Sequence, residues 1–322
     1  MKFQNTVGTF LFLFLFVGLA TSYAQEYDYV VAQDGSGDFE TIQAAIDASK
    51  SFPYGRVVIF IKDGVYHEKV KVHSWNSKIS LIGESKENTI ITYGDYFDKI
   101  ARGRNSTFFT YTLLVDGNDF YAKNLTIKNS AGKVGQAVAL HVEADRVMFE
   151  NCRFIGNQDT IYLAGEGARH YFKDCYVEGT TDFIFGQATA VFDHCVIHSK
   201  ENSFITAAST PSSINYGFIY KNCKLTAAPG IKEVFLGRPW RKYAKTVFLN
   251  SWMGDHIVPE GWDNWGNPEN EETVFYAEFN SEGPGAAPEK RVPWSHQLTK
   301  NEASRYTLQN IFGEWSTQIK ER

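Results

Sequence analysis

The chain has 322 residues, 43% hydrophobic, 15% aromatic and 21% charged, with a formal charge of −5. That apolar and aromatic content excludes a disordered protein. With 32 basic against 37 acidic residues and no clustered basic excess, it also excludes an ordinary nucleic-acid binder; the length suits one large domain.

In chain order, Lys2 precedes the apolar stretch "FLFLFLFVGLA" (10–20) and the small-residue run "TSYA". This pattern predicts a secretory leader over residues 1–24, cleaved after Ala24. The alternative, a membrane anchor, needs about 20 apolar residues, more than this stretch supplies. Residues 25–322 are therefore expected as a secreted, soluble, monomeric protein, with 31 basic and 37 acidic residues and a formal charge of −6. Four cysteines in such a chain invite disulfides: Cys152, Cys175, Cys195 and Cys223. Their spacings fit no zinc module. The sequons at Asn105 ("NST") and Asn124 ("NLT") permit glycosylation.

The segment "GDFETIQAAIDAS" (37–49) places Phe39, Ile42, Ala45 and Ile46 on one helical face, with Asp38 available as N-cap. "VVIFIKDG" follows as strand and turn. In the middle third four stretches repeat: "VMFENCRFIG", "HYFKDCYVEG", "AVFDHCVIHS" and "GFIYKNCKLT". Each carries an aromatic three residues before Cys (Phe149, Phe172, Phe192, Tyr220), then Asn, Asp or His just before it. The cysteines recur at separations of 23, 20 and 28, and a weaker copy, "FYAKNLTIKN", has Leu125 in the Cys position. Recurrence at this period marks a stacked architecture. The copies are short and β-rich, which predicts an all-β, right-handed parallel β-helix with an inward cysteine ladder; a β-sandwich is the alternative. The tail "TKNEASRYTLQNIFGEW" reads as helical, so short N- and C-terminal helices are expected as caps and covers for the open rungs.

Seven residues beyond Cys152 and Cys175 stand Asp159 ("NQDTIYL") and Asp182 ("TTDFIFG"); beyond Cys195 and Cys223 stand Asn202 and Gly230. If the copies stack, Asp159 and Asp182 lie one rung step apart, roughly 4.8 Å. Two carboxylates so placed cannot both ionise cheaply, so one is held protonated, as a general acid beside a nucleophile requires. The competing reading is an Asp ladder that caps turns. Gln136 and Gln158, 22 residues apart, offer uncharged donors for an oxyanion. Strict strand alternation, however, would point Gln158 and Asp159 to opposite faces, so a shared site requires a bend between them. In "FLGRPWRKYAK", Arg238 could grip an aspartate through paired N–H donors, and Trp240 could stack on a sugar.

Taken together, "GVYHEKV" (64–70), "QAVAL" (136–140), "QDTIYL" (158–163), "DFIFG" (182–186) and "LGRPW" (236–240) resemble, in order, the signature segments of plant pectin methylesterases; "VAQDGSGDFETIQAAIDA" resembles the start of that catalytic domain. The similarity runs from about residue 27 to 318. It implies removal of methyl esters from the galacturonate units of pectin in the cell wall, with no metal or cofactor. Asp182 would be the nucleophile and Asp159 the general acid and then base. Gln136 and Gln158 would stabilise the oxyanion, and Arg238 would orient Asp182. Thr107, Trp240, Trp262, Tyr162 and Phe185 would contact substrate. The resemblance further implies a Cys175–Cys195 disulfide with Cys152 and Cys223 as free thiols, a form without an inhibitor-like pro-domain, and a proteinaceous pectinesterase inhibitor as partner.

A β-helical glycosidase would also use two carboxylates but would release reducing ends rather than methanol. An inactive pectin-binding protein is disfavoured because both aspartates and both glutamines are present. "WRKY" (240–243) copies the name of a DNA-binding family that needs a Cys/His zinc cluster just downstream, and no cysteine follows Cys223. A serine esterase lacks its G-x-S-x-G elbow.

Overall fold

The computed structural model describes Met1 and residues 27–320; apart from Met1, the expected leader lies outside the described residues. Each central coil of the chain adds one strand to each of three parallel sheets, which reach eleven, eight and seven strands because the terminal coils add to only some of them. Val147–Glu150, Arg153–Ile155 and Ile161–Leu163 make one such coil, and Arg169–Lys173 opens the next. Parallel crossovers of this kind wind right-handed. The molecule is the expected parallel β-helix.

The repeat is the core. Phe149, Phe172, Phe192, Tyr220 and Phe248 fall in register on successive strands. Their rings stack with centroids 5.2, 4.5, 4.8 and 4.4 Å apart and planes within 12°. Such offset stacks add about 0.5–1.5 kcal/mol per pair beyond burial. The polar residue before each Cys also has a structural cause. Asn124, Asn151, Asp174, His194 and Asn222 all have φ between 50° and 56°. The chain turns there in the left-handed region, which Asn and Asp tolerate best among non-glycine residues.

The cysteines do form an inward column, but the expected Cys175–Cys195 bridge does not: all four are free and buried. Each thiol turns toward a backbone carbonyl of its own coil, two residues back, at 3.3–3.5 Å.

Two terminal expectations need correction. The first helix spans Ile42–Ala48 with Ile42, Ala45 and Ile46 buried, but its cap is Thr41, not Asp38. Asp38 instead accepts from the Val30 amide at 2.8 Å. The tail does form short helices, Lys300–Ala303, Leu308–Phe312 and Trp315–Lys320, yet they do not cap the last rung. Ile311, Phe312 and Trp315 pack on Met148, Tyr171, Val191, Ile219 and Val247, the outward face of the eleven-stranded sheet. At the last coils lies a buried ion pair, Arg291 Nε to Glu278 Oε1 at 2.7 Å. Among the described residues no helix is long and apolar enough to cross a membrane.

Candidate active site

The site lies where the chain passes from the eight-stranded to the seven-stranded sheet. Ile161 and Ile184 are register partners, so Asp159 and Asp182 stand at equivalent points of adjacent coils. Their amides continue the inter-coil ladder: Asp159 N donates to Thr181 O at 3.1 Å and Asp182 N to Phe204 O at 2.8 Å. Asn202 falls out of the column, because Ile184 pairs with Thr206 and brings Phe204 beside Asp182.

Asp159 and Asp182 have φ of 63° and 49°. This left-handed kink breaks strand alternation at the point where it would separate Gln158 from Asp159, and both side chains line one cleft. With them stand Gln136, Asp182, Arg238, Thr107, Phe185 and Trp240, around about 300 Å³ of space. The glutamines are one position out of strict register, since Leu140 pairs with Ile161, but Ala137 N donates to Gln158 O at 3.2 Å and keeps them adjacent. Downstream of Asp182, Phe183 and Ile184 turn into the core while Phe185 joins the cleft floor. Gly186 completes the turn at φ 127°, where a Cβ would lie 2.0 Å from Leu163 O.

The two carboxyls differ in surroundings. Arg238 grips Asp182 with two bonds, Nε–Oδ1 at 2.9 Å and Nη2–Oδ2 at 2.6 Å. The guanidinium is itself held between the rings of Phe204 and Trp265, 3.9 and 3.7 Å from their centroids. Asp159, only 8% exposed, has no such partner. Burial, and then the charge of Asp182, push its carboxyl well above the usual carboxylate range. Burial also raises Asp182, but the Arg238 bonds and charge oppose it. A bidentate guanidinium favours the ionised form, so at intermediate pH Asp182 carries the charge and Asp159 the proton.

One predicted residue is misplaced. Trp262 is 1% exposed and stacks in the core on Tyr276, centroids 4.4 Å apart; its bridge to Gly237 turns it inward. The cleft tryptophan beside Trp240 is instead Trp265, 39% exposed. The run "DNWGNP" (263–268) carried the signal: a Trp among turn residues, where no strand can bury it. Phe97, Arg104 and Phe108 also line the cleft, and no sequence motif had marked them. Tyr162 stacks on Phe185 at 4.7 Å and supports the floor. Among the described residues no cluster of His, Cys, Asp and Glu is arranged to hold a metal.

Fold and site together define a β-helical hydrolase whose groove presents an unequal carboxyl pair beside amide donors. Residues 28–314 match the pectinesterase family model, and the chain belongs to the pectinesterase family. It is 42% identical over 287 residues to pectinesterase 31 of Arabidopsis thaliana, covering 86% of this chain and 89% of that protein. Its fold matches pectin methylesterase from carrot with a TM-score of 0.86 at 32% identity, covering 94% and 98% of the two chains. A pectin methylesterase aspartate-to-alanine mutant solved with a hexasaccharide matches at 0.80 and 31% identity, covering 91% and 98%.

Proposed function

We propose that this protein removes methyl esters from galacturonate units of pectin, yielding de-esterified polymer and methanol. The observation that carries the reading is the division of labour in the carboxyl pair: Asp182 paired to Arg238 at 2.6–2.9 Å and, beside it, Asp159, whose carboxyl has no ion-pair partner among the described residues. Asp182 attacks the ester carbonyl carbon. Amide N–H groups of Gln136 and Gln158 receive the negative charge that develops on the carbonyl oxygen. As the tetrahedral species collapses, the carbon–methoxyl bond breaks and Asp159 gives its proton to the departing oxygen, releasing methanol and leaving an acyl-Asp182 anhydride. Asp159, now ionised, takes a proton from water; the hydroxide adds to the acyl carbon and Asp182 leaves as carboxylate. The apolar floor strengthens each of these electrostatic contacts by excluding water. Thr107, Phe185, Trp240 and Trp265 hold the sugar chain.

The proposal extends to export with cleavage after Ala24, action as a monomer in the cell wall, and a proteinaceous inhibitor as partner. A glycan would sit more readily at exposed Asn105 than at Asn124, whose Oδ1 accepts from Asn151 at 2.7 Å. The test is to incubate purified protein with highly methylated pectin and to measure methanol and new reducing ends. Methanol without reducing ends is expected, and Asp182→Asn should abolish it while leaving the fold intact. Reducing ends without methanol would point to a glycosidase instead.

A further inference from the structure

The outward face of the eight-stranded sheet carries a stripe that the ester chemistry does not use. Arg153, Tyr176, Val196, Lys224 and Trp252 are register partners on five successive coils. All five are at least partly exposed, Trp252 at 39%. Each cation lies against the ring of the next coil: Arg153 Cζ is 5.6 Å from the Tyr176 centroid and Lys224 Nζ 5.2 Å from that of Trp252. The cation–ring pair thus recurs after three coils, roughly 14 Å along the axis. Gly283 leaves room for the second ring, since a Cβ there would lie 2.8 Å from Trp252 Nε1. An aromatic face holds a cation in place without cancelling its charge. The carboxylates nearby are otherwise engaged. Glu178 is matched by Lys200 at 3.1 Å and accepts from Tyr176 OH at 2.9 Å, and Asp255 is matched by Lys232. Glu282 sets one carboxylate at the Trp252 end. His198, opposite Glu178, bonds Thr226 Oγ1 at 2.9 Å. Lys128, opposite Ile155 on the preceding coil, is exposed. Among the described residues Lys128, Arg153 and Lys224 enter no ion pair. The stripe therefore presents free positive charge on a chain whose formal charge is −5.

We propose that this stripe is a second binding surface for galacturonan, which takes the de-esterified stretches of polymer that the cleft produces. The inference rests on the pectinesterase reading of the site. Each methyl ester removed leaves a carboxylate, so the product is a polyanion complementary to Lys128, Arg153 and Lys224, whereas the fully methylated chain is neutral. Val196 and the exposed parts of Tyr176 and Trp252 meet the apolar faces of the sugar rings. The stripe is also well placed. Asp159 and Asp182 follow Arg153 and Tyr176 by six residues on the same coils, a path of at most about 20 Å. A polymer held on the stripe keeps its remaining esters near the cleft at a raised local concentration. The stripe thereby lowers KM for long, partly de-esterified chains and leaves the chemical step alone.

The test compares wild type with the double variant Arg153→Gln, Lys224→Gln. Calorimetry gives the Kd for fully de-esterified polygalacturonate, and methanol release gives kcat and KM on long, half-esterified pectin and on a short methyl-esterified oligomer. In the double variant the polygalacturonate Kd and the KM on long pectin should both rise about three- to ten-fold, the scale of two exposed charges. Its kcat and its kinetics on the oligomer should stay as in wild type. Added salt should weaken polygalacturonate binding more in wild type than in the variant. Trp252→Ala should give a loss of the same kind, and if it lowers the melting midpoint the double variant, changed only at exposed polar heads, decides alone. Trp265→Ala in the cleft should instead lose activity on both substrates, which separates the two surfaces. Equal polygalacturonate binding and equal KM on long pectin in wild type and double variant would overturn the proposal. So would a wild-type dimer that the double variant breaks, since the stripe would then be covered by a second copy. Absence of methanol release from the wild type would overturn the functional reading, while the binding comparison would still decide the stripe.

Discussion

Arg238 has two kinds of neighbour, a carboxylate that it grips and two aromatic faces that grip it. Lysine could supply the charge but neither the fork nor the flat face. Arg238→Lys is therefore expected to lower kcat/KM about 100-fold, a loss in the range seen when an electrostatic donor leaves a dry site. It should also shift the acid limb of the pH–rate profile. Burial pushes Asp182 up and Arg238 pulls it down. A looser partner leaves Asp182 protonated to higher pH, so the acid limb moves toward neutrality; an unmoved limb would remove Arg238 from this role. The two tryptophans make a paired test. Trp265→Ala removes one face of the sandwich and should cost about ten-fold in kcat/KM with the melting midpoint nearly unchanged. Trp262→Ala opens a cavity beside Tyr276 and Phe248 and should cost roughly 3–5 kcal/mol in denaturant titration. The sequence marked Arg238 and Trp240 because they sit in a motif. It could not rank Trp262 against Trp265, because inward or outward placement depends on a bridge to Gly237, 25 positions away.

At the level of elements, the tail was readable as helical, but its docking place was not: a helical segment does not say which sheet will receive its apolar face. The structure seats it over outward residues of the eleven-stranded sheet, fastened by Arg169 Nη1 to Phe312 O at 3.0 Å. Uncovered, those residues form an apolar face on a sheet, the kind of surface that drives association. Trp315→Ala should cost about 3–5 kcal/mol, and a chain ending at Tyr306 should aggregate on light scattering where the full chain does not. Were the truncated chain monomeric with an unchanged midpoint, the tail would be ornament rather than cover. The kink at Asp159 and Asp182 belongs to this scale too. Alternation predicted a conflict between Gln158 and Asp159, and the left-handed backbone resolves it, at the modest cost such conformations carry. Pattern reading counts positions and cannot see φ.

For the whole molecule, the repeat made the architecture legible: when the aromatic, the turn residue and the Cys recur together, the coils must stack, and whatever follows at a fixed offset becomes a neighbour. That argument held for Asp159 and Asp182, because both follow their cysteines by seven residues and the intervening chain is equally long. It failed at Asn202, where the next loop is two residues longer and puts Phe204, not Asn202, beside Asp182. The same burial that builds the solenoid sets its response to acid. His170 is fully buried, with Nε2 bonded to Ala144 O at 2.9 Å and Nδ1 unpartnered, and burial pulls its pKa down to about 4. Buried His256 is likewise pulled down to about 4, with Asp255 opposing. The unfolded chain binds a proton at these positions near pH 6.5, the folded chain only near 4. Their contribution to stability is thus complete above about pH 6.5 and is lost as pH falls toward 4, on the order of 3 kcal/mol for His170. Asp159 and Asp182 act in the opposite sense: their raised folded-state values weaken the fold as pH rises through them. The melting midpoint of the wild type should therefore fall on acidification from pH 6.5 to 4. His170→Gln, which keeps a donor for Ala144 O but takes up no proton, should flatten that fall, whereas Asp159→Asn should raise the midpoint at neutral pH and leave the acid end nearly where it was. Parallel curves for wild type and His170→Gln would show that the acid sensitivity lies elsewhere in the fold.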